Sequence, residues 1–275
     1  MSQADVRLEP TANEVKQCCA DLYAGDWVRL LLGDSFHPGG LALTSRLGAL
    51  LALGPNDRVL DVASGSGASA LHLTETFGCY VTGVDYSADN VARANQTARE
   101  AGVASSVAFV HGDAEQLDLP ATAYDVVICE CALCTFPNKG AAVREFRRVL
   151  RPGGRLGISD VTRDGPLPAE LDNFLARVAC IADALPAREY VALLTGAGFS
   201  DAQVEQHDEA ARELIERVRV GLLGAQVLAG VGKLSLPVDG ADLRHALNLA
   251  NVAAGAARDG RLGYALIVAR AAATG

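Results

Sequence analysis

The chain has 275 residues, of which 50% are hydrophobic and 21% charged, which is enough for one large domain with a full core. Its formal net charge of -9 repels phosphate backbones, and this excludes nucleic acid as an expected partner. No apolar run reaches the roughly 18 residues that a membrane span needs, so no membrane partner is expected. The first ten residues lack a charged segment followed by an apolar one. We therefore expect a cytoplasmic protein with reduced cysteines.

The hydrophobic pattern predicts helices over residues 11–53, interrupted by a Pro-Gly-Gly loop at residues 36–40. Strands and helices then alternate. The predicted strands cover residues 58–63, 80–85, 107–111, 124–131 and 155–160, and the helices cover 66–77, 87–101 and 140–150. This alternation is typical of a doubly wound α/β sheet. Further helices are predicted over 168–185, 187–197, 209–228 and 241–257, and further strands over 202–207 and 263–270.

A glycine-rich turn follows the first predicted strand. Gly65 and Gly67 let the backbone turn tightly and approach a ligand. Asp85 ends the second strand, where a carboxylate can accept hydrogen bonds from two ribose hydroxyls. Asp61, within the first strand, would be unfavourable beside a pyrophosphate but favourable near the cationic end of S-adenosylmethionine. These positions predict a site for S-adenosylmethionine. The alternative is that the turn belongs to a nicotinamide-dependent dehydrogenase.

The chain resembles the class I S-adenosylmethionine-dependent methyltransferases over roughly residues 55–205. The segments that carry the resemblance are VLDVASGSG, GVDYS, GDAEQLDLP, YDVVIC and VLRPGGRLGISD. The resemblance implies a doubly wound, Rossmann-like α/β fold whose seven-stranded sheet ends in an antiparallel strand, supplied by residues 263–270. It also implies a helical N-terminal lid segment (residues 1–54), a cofactor-binding core (55–207) and a C-terminal part (208–275) that contains a helical insertion and the final strand.

The same resemblance implies the residues that contact the cofactor. They are Asp61, Ser64, Gly65, Gly67, Asp85, Tyr86, Asp113, Ala114 and Cys129. For two of them a structural role stays open. Asp113 could accept the adenine amino group or serve as a turn carboxylate. Cys129 could line the site or pack in the core, as free cysteines often do.

Seven cysteines occur in the chain, and three of them crowd the end of the fourth strand. The chain resembles the arsenite methyltransferases at one of these, Cys131, and at Cys180. The segments that carry this resemblance are CECAL, NKGAA and CIADAL. That resemblance implies that Cys131 and Cys180 bind trivalent arsenic as substrate, with Cys18 or Cys19 as the third ligand. Trivalent arsenic is a soft centre, and soft centres prefer thiolates. Two thiols would suffice for an arsenical that already carries a methyl group.

The leading hypothesis is therefore methyl transfer to a thiol-bound trivalent metalloid, arsenite or a methylarsenical. A thiol reductant such as glutathione or thioredoxin is the expected partner. One alternative is a methyltransferase for a small organic metabolite, in which Glu130 is the best candidate for a general base and His37 is a base, a substrate contact or only a loop residue. The other is a protein that binds a metalloid through its cysteines without turnover.

Overall fold

A computed structural model of the chain describes residues 11–24, 37–230 and 240–272. Among these residues, two helices precede the sheet, α1 (Ala12–Ala24) and α2 (Gly40–Leu50). Gly39 precedes α2 with a φ of 72°, and a Cβ atom there would lie 2.4 Å from Leu43 Cγ, so the turn requires glycine. The apolar residues 30–32, which the sequence analysis places in a helix, lie outside the described residues.

Seven strands form one mixed sheet. They are β1 (Arg58–Val62), β2 (Tyr80–Asp85), β3 (Val107–His111), β4 (Tyr124–Glu130), β5 (Leu150–Arg163), β6 (Phe199–Gln206) and β7 (Leu262–Ala271). The other helices of the described residues are α3 (Ala68–Phe77), α4 (Ala88–Glu100), α5 (Lys139–Val149), α6 (Phe174–Val178), α7 (Ala187–Gly196), α8 (Asp208–Gly230) and α9 (Gly240–Arg258).

The strand order is β3-β2-β1-β4-β5-β7-β6. The strands β1 to β5 are parallel to one another, whereas β7 runs antiparallel between β5 and β6. The predicted Rossmann-like α/β fold with seven strands and an antiparallel last strand is confirmed. The strand order reverses between β1 and β4, and in open sheets this switch point is where ligands bind.

Helices cover both faces of the sheet, which explains why β4 is apolar almost throughout. One core layer contains Phe146 of α5 and Tyr190 of α7, and the other contains Leu47 of α2 and Leu73 of α3. A third apolar cluster joins α9 to the segment after β5 and includes Leu249. None of the helices that the structure describes is long and apolar enough to cross a membrane.

The long helix predicted over residues 168–185 is wrong. The structure has a single 3-10 turn at Ala169–Leu171 and then the short α6. The Asn173 side chain caps α6 by accepting a hydrogen bond from the Ala176 amide at 2.9 Å. Cys180 then adopts a left-handed conformation, with a φ of 65°, which a helix cannot continue through. The apolar residues whose spacing predicted a helix lie instead in a series of turns, from which they face the core.

The packing of α5 predicts that two substitutions on this helix have very different effects on the free energy of unfolding. Phe146 is fully buried, so Phe146→Ala should leave a cavity and lower the free energy of unfolding by about 3–5 kcal/mol. Arg144 is exposed on the same helix, and Arg144→Ala should change it by less than about 0.5 kcal/mol. Urea denaturation followed by circular dichroism measures both. Equal effects of the two substitutions would contradict the assigned face of α5.

Candidate active site

A cavity of about 170 Å³ opens at the carboxyl ends of β1, β2 and β4, next to the switch point of the sheet. One part of its wall comes from the turns that follow β1, β2 and β3. The opposite part comes from α1, from His37 and from the segment that follows β4. The cavity therefore has one end that faces the glycine-rich turn and another that faces Glu130 and Cys131.

The glycine-rich turn has the geometry that the sequence predicts. Gly65 and Gly67 have φ values of 53° and 84°. A Cβ atom at Gly67 would lie 2.5 Å from Phe109 Cζ, so both the conformation and the packing require glycine there. The Ser64 amide donates a hydrogen bond to the Val84 carbonyl at 3.0 Å, which fixes the turn against β2. The backbone can thus approach a ligand closely.

Asp85 joins this turn to the end of β2. Its Oδ2 accepts a hydrogen bond from the Gly65 amide at 2.7 Å, and its Oδ1 accepts one from the Ser87 amide at 2.9 Å. Burial raises the pKa of the carboxyl group, while these hydrogen bonds oppose the shift. Oδ1 also accepts a hydrogen bond from the Asn90 side chain at 3.3 Å, whereas Oδ2 has a further lone pair and so retains acceptor capacity toward a ribose.

Asp61 is the most unusual charged group of the site. It is only 2% exposed, and within the described part of the chain its Oδ2 has no hydrogen-bond partner. Burial and the nearby Glu130 and Asp85 carboxylates raise its pKa well above the ordinary value. Ser64 Oγ is likewise buried without a partner among the described residues. Such orphaned atoms are costly unless a ligand satisfies them, so these residues fit the cationic end of S-adenosylmethionine.

The rim of the cavity after β3 carries Asp113, Ala114 and Glu115, and Tyr86 lies on the wall beyond β2. Lys16 of α1 reaches this rim. Its Nζ lies 2.7 Å from Asp113 Oδ2 and 2.6 Å from Glu115 Oε2. The ion pair with Lys16 therefore holds Asp113 in place. The spacing of residues in the sequence does not predict this interaction.

A buried polar group lies at the other end of the cavity. His37 Nε2 is 3.7 Å from Glu130 Oε2, and both side chains are almost inaccessible to solvent. The Thr44 hydroxyl lies 3.1 Å from Glu130 Oε2 and donates to it. Ser159 Oγ donates to Glu130 Oε1 at 3.3 Å and accepts from the Tyr264 hydroxyl at 2.9 Å. The carboxylate of Glu130 is thus held toward the cavity beside an imidazole.

Four cysteines from three parts of the sequence lie near one another beside this end. Cys180 hydrogen-bonds with the thiols of Cys131 and Cys134. The Cys180 thiol also donates to the Cys131 carbonyl at 3.3 Å. Cys19 of α1 lies on the cavity wall and is close enough to Cys180 for the two thiols to interact electrostatically, whereas the neighbouring Cys18 is not on that wall. Sequence analysis noted Cys134 but gave it no role.

The surroundings of Cys131, Cys134 and Cys19 disfavour their thiolate forms, because each of these thiols has a raised pKa. The hydrogen bond with Cys180 and burial raise the pKa of Cys131 well above its ordinary value, and burial raises the pKa of Cys19 to about 12. Cys131 and Cys180 have positive φ values of 51° and 65°, a strain that is common at functional sites. Within the described residues, no three His, Cys, Asp or Glu side chains are arranged to hold a metal ion.

Cys129 differs from the other cysteines of this region. It is fully buried in the core layer that contains Phe146, and it does not line the cavity. Burial and the Asp160 and Asp61 carboxylates raise its pKa well above the ordinary value. A contact between Cys129 and the cofactor therefore stays a prediction from the family resemblance, and its observed environment is that of a packed core residue.

Comparison with known proteins agrees with this geometry. A family model described as a methyltransferase domain matches residues 60–158. The 27-O-demethylrifamycin SV methyltransferase of Amycolatopsis mediterranei (strain S699) is 33% identical over 220 residues, which cover 74% of this chain and 80% of that protein. The arsenite methyltransferase of Halobacterium salinarum (strain ATCC 700922 / JCM 11081 / NRC-1) is 29% identical over 203 residues, or 70% of this chain and 52% of that protein.

The solved structure of the 4+2 cyclase SpnF superimposes with a TM-score of 0.79 at 23% identity, covering 99% of this chain and 100% of that one. At this identity the likeness concerns the fold. The chain belongs to the class I S-adenosylmethionine-dependent methyltransferases. Its cofactor is S-adenosylmethionine, and the predicted membership of this class is confirmed.

The environment of Asp61 predicts a pH dependence of cofactor binding. The raised pKa means that Asp61 takes up a proton at a higher pH than an ordinary carboxyl group and then cannot attract a cation. The affinity for the sulfonium cofactor should therefore fall, relative to that for neutral-sulfur S-adenosylhomocysteine, as the pH is lowered, and it should begin to fall at a higher pH than an ordinary carboxyl group would cause. Asp61→Asn should remove this difference and weaken S-adenosylmethionine binding roughly tenfold. Calorimetric titrations at a series of pH values test it, and an unchanged affinity ratio would contradict it.

Proposed function

We propose that this methyltransferase acts on a thiol-bound trivalent arsenical, with methylarsonous acid as the preferred acceptor and arsenite as a further one. The convergence of Cys19, Cys131, Cys134 and Cys180 beside the cavity carries the proposal. Separate chain segments supply these thiols, so local sequence composition does not explain their meeting. Soft trivalent centres select such an environment.

Cys131 and Cys180 are the proposed ligands, because they contact each other and Cys131 lines the cavity. Each thiol replaces a hydroxyl group of the arsenical, and the thiol proton leaves with that hydroxyl as water. This exchange suits a thiol with a raised pKa such as that of Cys131, since no free thiolate has to form first. A pair of ligands matches an acceptor that already carries one methyl group and has two exchangeable hydroxyls.

The charges of the cavity support an acceptor without negative charge. Five carboxylates line it, on Asp61, Asp85, Asp113, Glu115 and Glu130. Among the residues that the structure describes, the ammonium group on its wall is that of Lys16, which is paired with two of these carboxylates. An anionic acceptor would be repelled, whereas the hydroxides of trivalent arsenic are neutral.

Bound S-adenosylmethionine supplies an electrophilic methyl group on a sulfonium. The arsenic lone pair is the nucleophile and loses no proton, so the protein contributes mainly by positioning. The transfer leaves the arsenic pentavalent. Two thiols of an external reductant such as glutathione or thioredoxin return it to the trivalent state and become a disulfide. One bond from arsenic to a protein sulfur breaks in this step, and of the two protons released one returns to that cysteine and the other goes to solvent. That reductant is the proposed partner.

The test supplies methylarsonous acid or arsenite with the cofactor and glutathione and measures methylated arsenic by mass spectrometry. Cys131→Ser and Cys180→Ser should each lower the rate roughly 100-fold, because a hydroxyl does not hold trivalent arsenic in place. Cys79→Ser is the matched control, since Cys79 is buried at the amino end of β2, away from the cavity, and its substitution should leave the rate unchanged.

Absence of a methylated product, with S-adenosylhomocysteine binding intact, would overturn the proposal. Binding of the arsenical without cofactor consumption would overturn it too, in favour of a metalloid-binding protein. Equal rates of the cysteine variants and the wild type would show that the thiols are packing residues.

A second candidate function is methylation of a hydroxyl group on an organic metabolite, and the His37–Glu130 contact favours it. His37 Nδ1 lies 3.2 Å from the Pro38 carbonyl oxygen, and Nε2 faces Glu130. The Pro38 carbonyl can therefore hold a proton on Nδ1 while Nε2 takes the proton of a substrate hydroxyl beside Glu130. The similarity to a rifamycin methyltransferase points to the same class of acceptor.

His37→Gln separates the two functions. It should lower the methylation of an organic hydroxyl roughly 100- to 10,000-fold, because the general base is lost. It should leave arsenical methylation nearly unchanged, because that nucleophile loses no proton. Single-turnover rates on a panel of phenols and on methylarsonous acid measure the effect. A loss confined to the phenols would assign the organic function, and a loss of neither would remove His37 from the chemistry.

A further inference from the structure

Lys16 connects α1 to the rim of the cavity that follows β3. It lies on α1, and its ammonium group bridges Asp113 Oδ2 at 2.7 Å and Glu115 Oε2 at 2.6 Å. Lys16 and Glu115 each have only 12% of their side chain exposed. A pair that is this well shielded is screened by salt less than a surface pair.

The rim to which Lys16 binds is itself fixed. Asp113 Oδ1 accepts a hydrogen bond from the Glu115 amide at 2.9 Å. Glu115 Oε1 accepts one from the amide of Asn138, the residue before α5, at 2.6 Å. The carboxylates that receive Lys16 are therefore held by the sheet and by α5, so Lys16 positions α1 against a rigid edge.

The same face of α1 carries Cys19. Lys16, Cys19 and Ala20 are three and four positions apart, which places them on one side of a helix, and all three line the cavity. Burial opposes the charge of Lys16, but the hydrogen bonds to Asp113 and Glu115 outweigh it and raise the pKa of the ammonium group. The link is thus present throughout the physiological pH range.

We propose that Lys16 is a positioning residue that couples the cofactor end of the cavity to the thiol-bearing face of α1. Its two ion pairs hold α1 across the cavity, so that Cys19 reaches the acceptor end while the cofactor is bound. The role of Cys19 toward the acceptor rests on the proposed function, whereas the link between Lys16 and cofactor binding does not.

Coupling between two positions is reciprocal, so a bound cofactor should also hold α1 in place. S-adenosylhomocysteine should therefore slow the alkylation of Cys19 by iodoacetamide. A background of Cys18→Ser in every variant makes the alkylation of this peptide, followed by mass spectrometry, report on Cys19 alone. Neither this measurement nor a calorimetric titration uses an acceptor, so a failure of the arsenical assay does not affect them.

Lys16→Met should weaken S-adenosylhomocysteine binding about three- to tenfold and abolish the protection of Cys19 by the saturating ligand. Lys16→Arg should retain both properties, because a guanidinium can bridge the same carboxylates. Arg212→Met is the control, since it removes an exposed ion pair with Glu209 on α8, and it should change neither.

The proposal is overturned if Lys16→Met binds the ligand as tightly as the wild type. It is also overturned if Cys19 stays protected in that variant, or if Lys16→Arg behaves as Lys16→Met does. Thermal unfolding of each variant by circular dichroism separates these outcomes from a loss of fold. If a substitution loosens only α1, the main unfolding transition should be unchanged, because that transition depends on the sheet.

Discussion

The active site depends on the parallel pairing of β1 with both β2 and β4. In this register Asp61 lies opposite Ile128 of β4, and the three strands end at the same edge of the sheet. Asp61, Asp85 and Glu130 are therefore held around one cavity, although each would repel the others in the absence of a ligand. The hydrophobic layers on both faces of the sheet stabilise this arrangement, because they fix the strands that carry the carboxylates.

Concentrated negative charge determines what the cavity can accept. A cationic cofactor compensates part of it, and the orphaned Oδ2 of Asp61 is placed to receive a positive group. Lys16 neutralises another part from a separate helix. The rest of the wall carries the imidazole of His37 and the thiols of Cys19 and Cys131. Neutral acceptors suit such a wall, whether they bind through sulfur or lose a proton to His37.

The cysteines beside the cavity come from segments that lie far apart in the sequence. Cys131 follows β4, Cys180 follows α6, and Cys19 comes from a helix that precedes the sheet. Two of these thiols lie in turns with left-handed backbone conformations, which the surrounding packing has to enforce. Cys19, Cys131 and Cys180 thus lie outside the strands of the central sheet, whereas Asp61 and Asp85 lie on β1 and β2.

The sequence by itself determined the fold class, the glycine-rich turn and the cofactor, because these depend on local signals: apolar strands, required glycines and a carboxylate at a strand end. It also singled out Cys131, Cys180, Glu130 and His37. It failed over residues 168–185, where apolar spacing does not distinguish a helix from turns that bury the same side chains. Only the tertiary structure decided that Lys16 binds Asp113, that Thr44 and Ser159 orient Glu130, and that Cys19 rather than Cys18 lines the cavity. Such contacts join residues far apart in the chain, and their formation depends on how helices dock on the sheet.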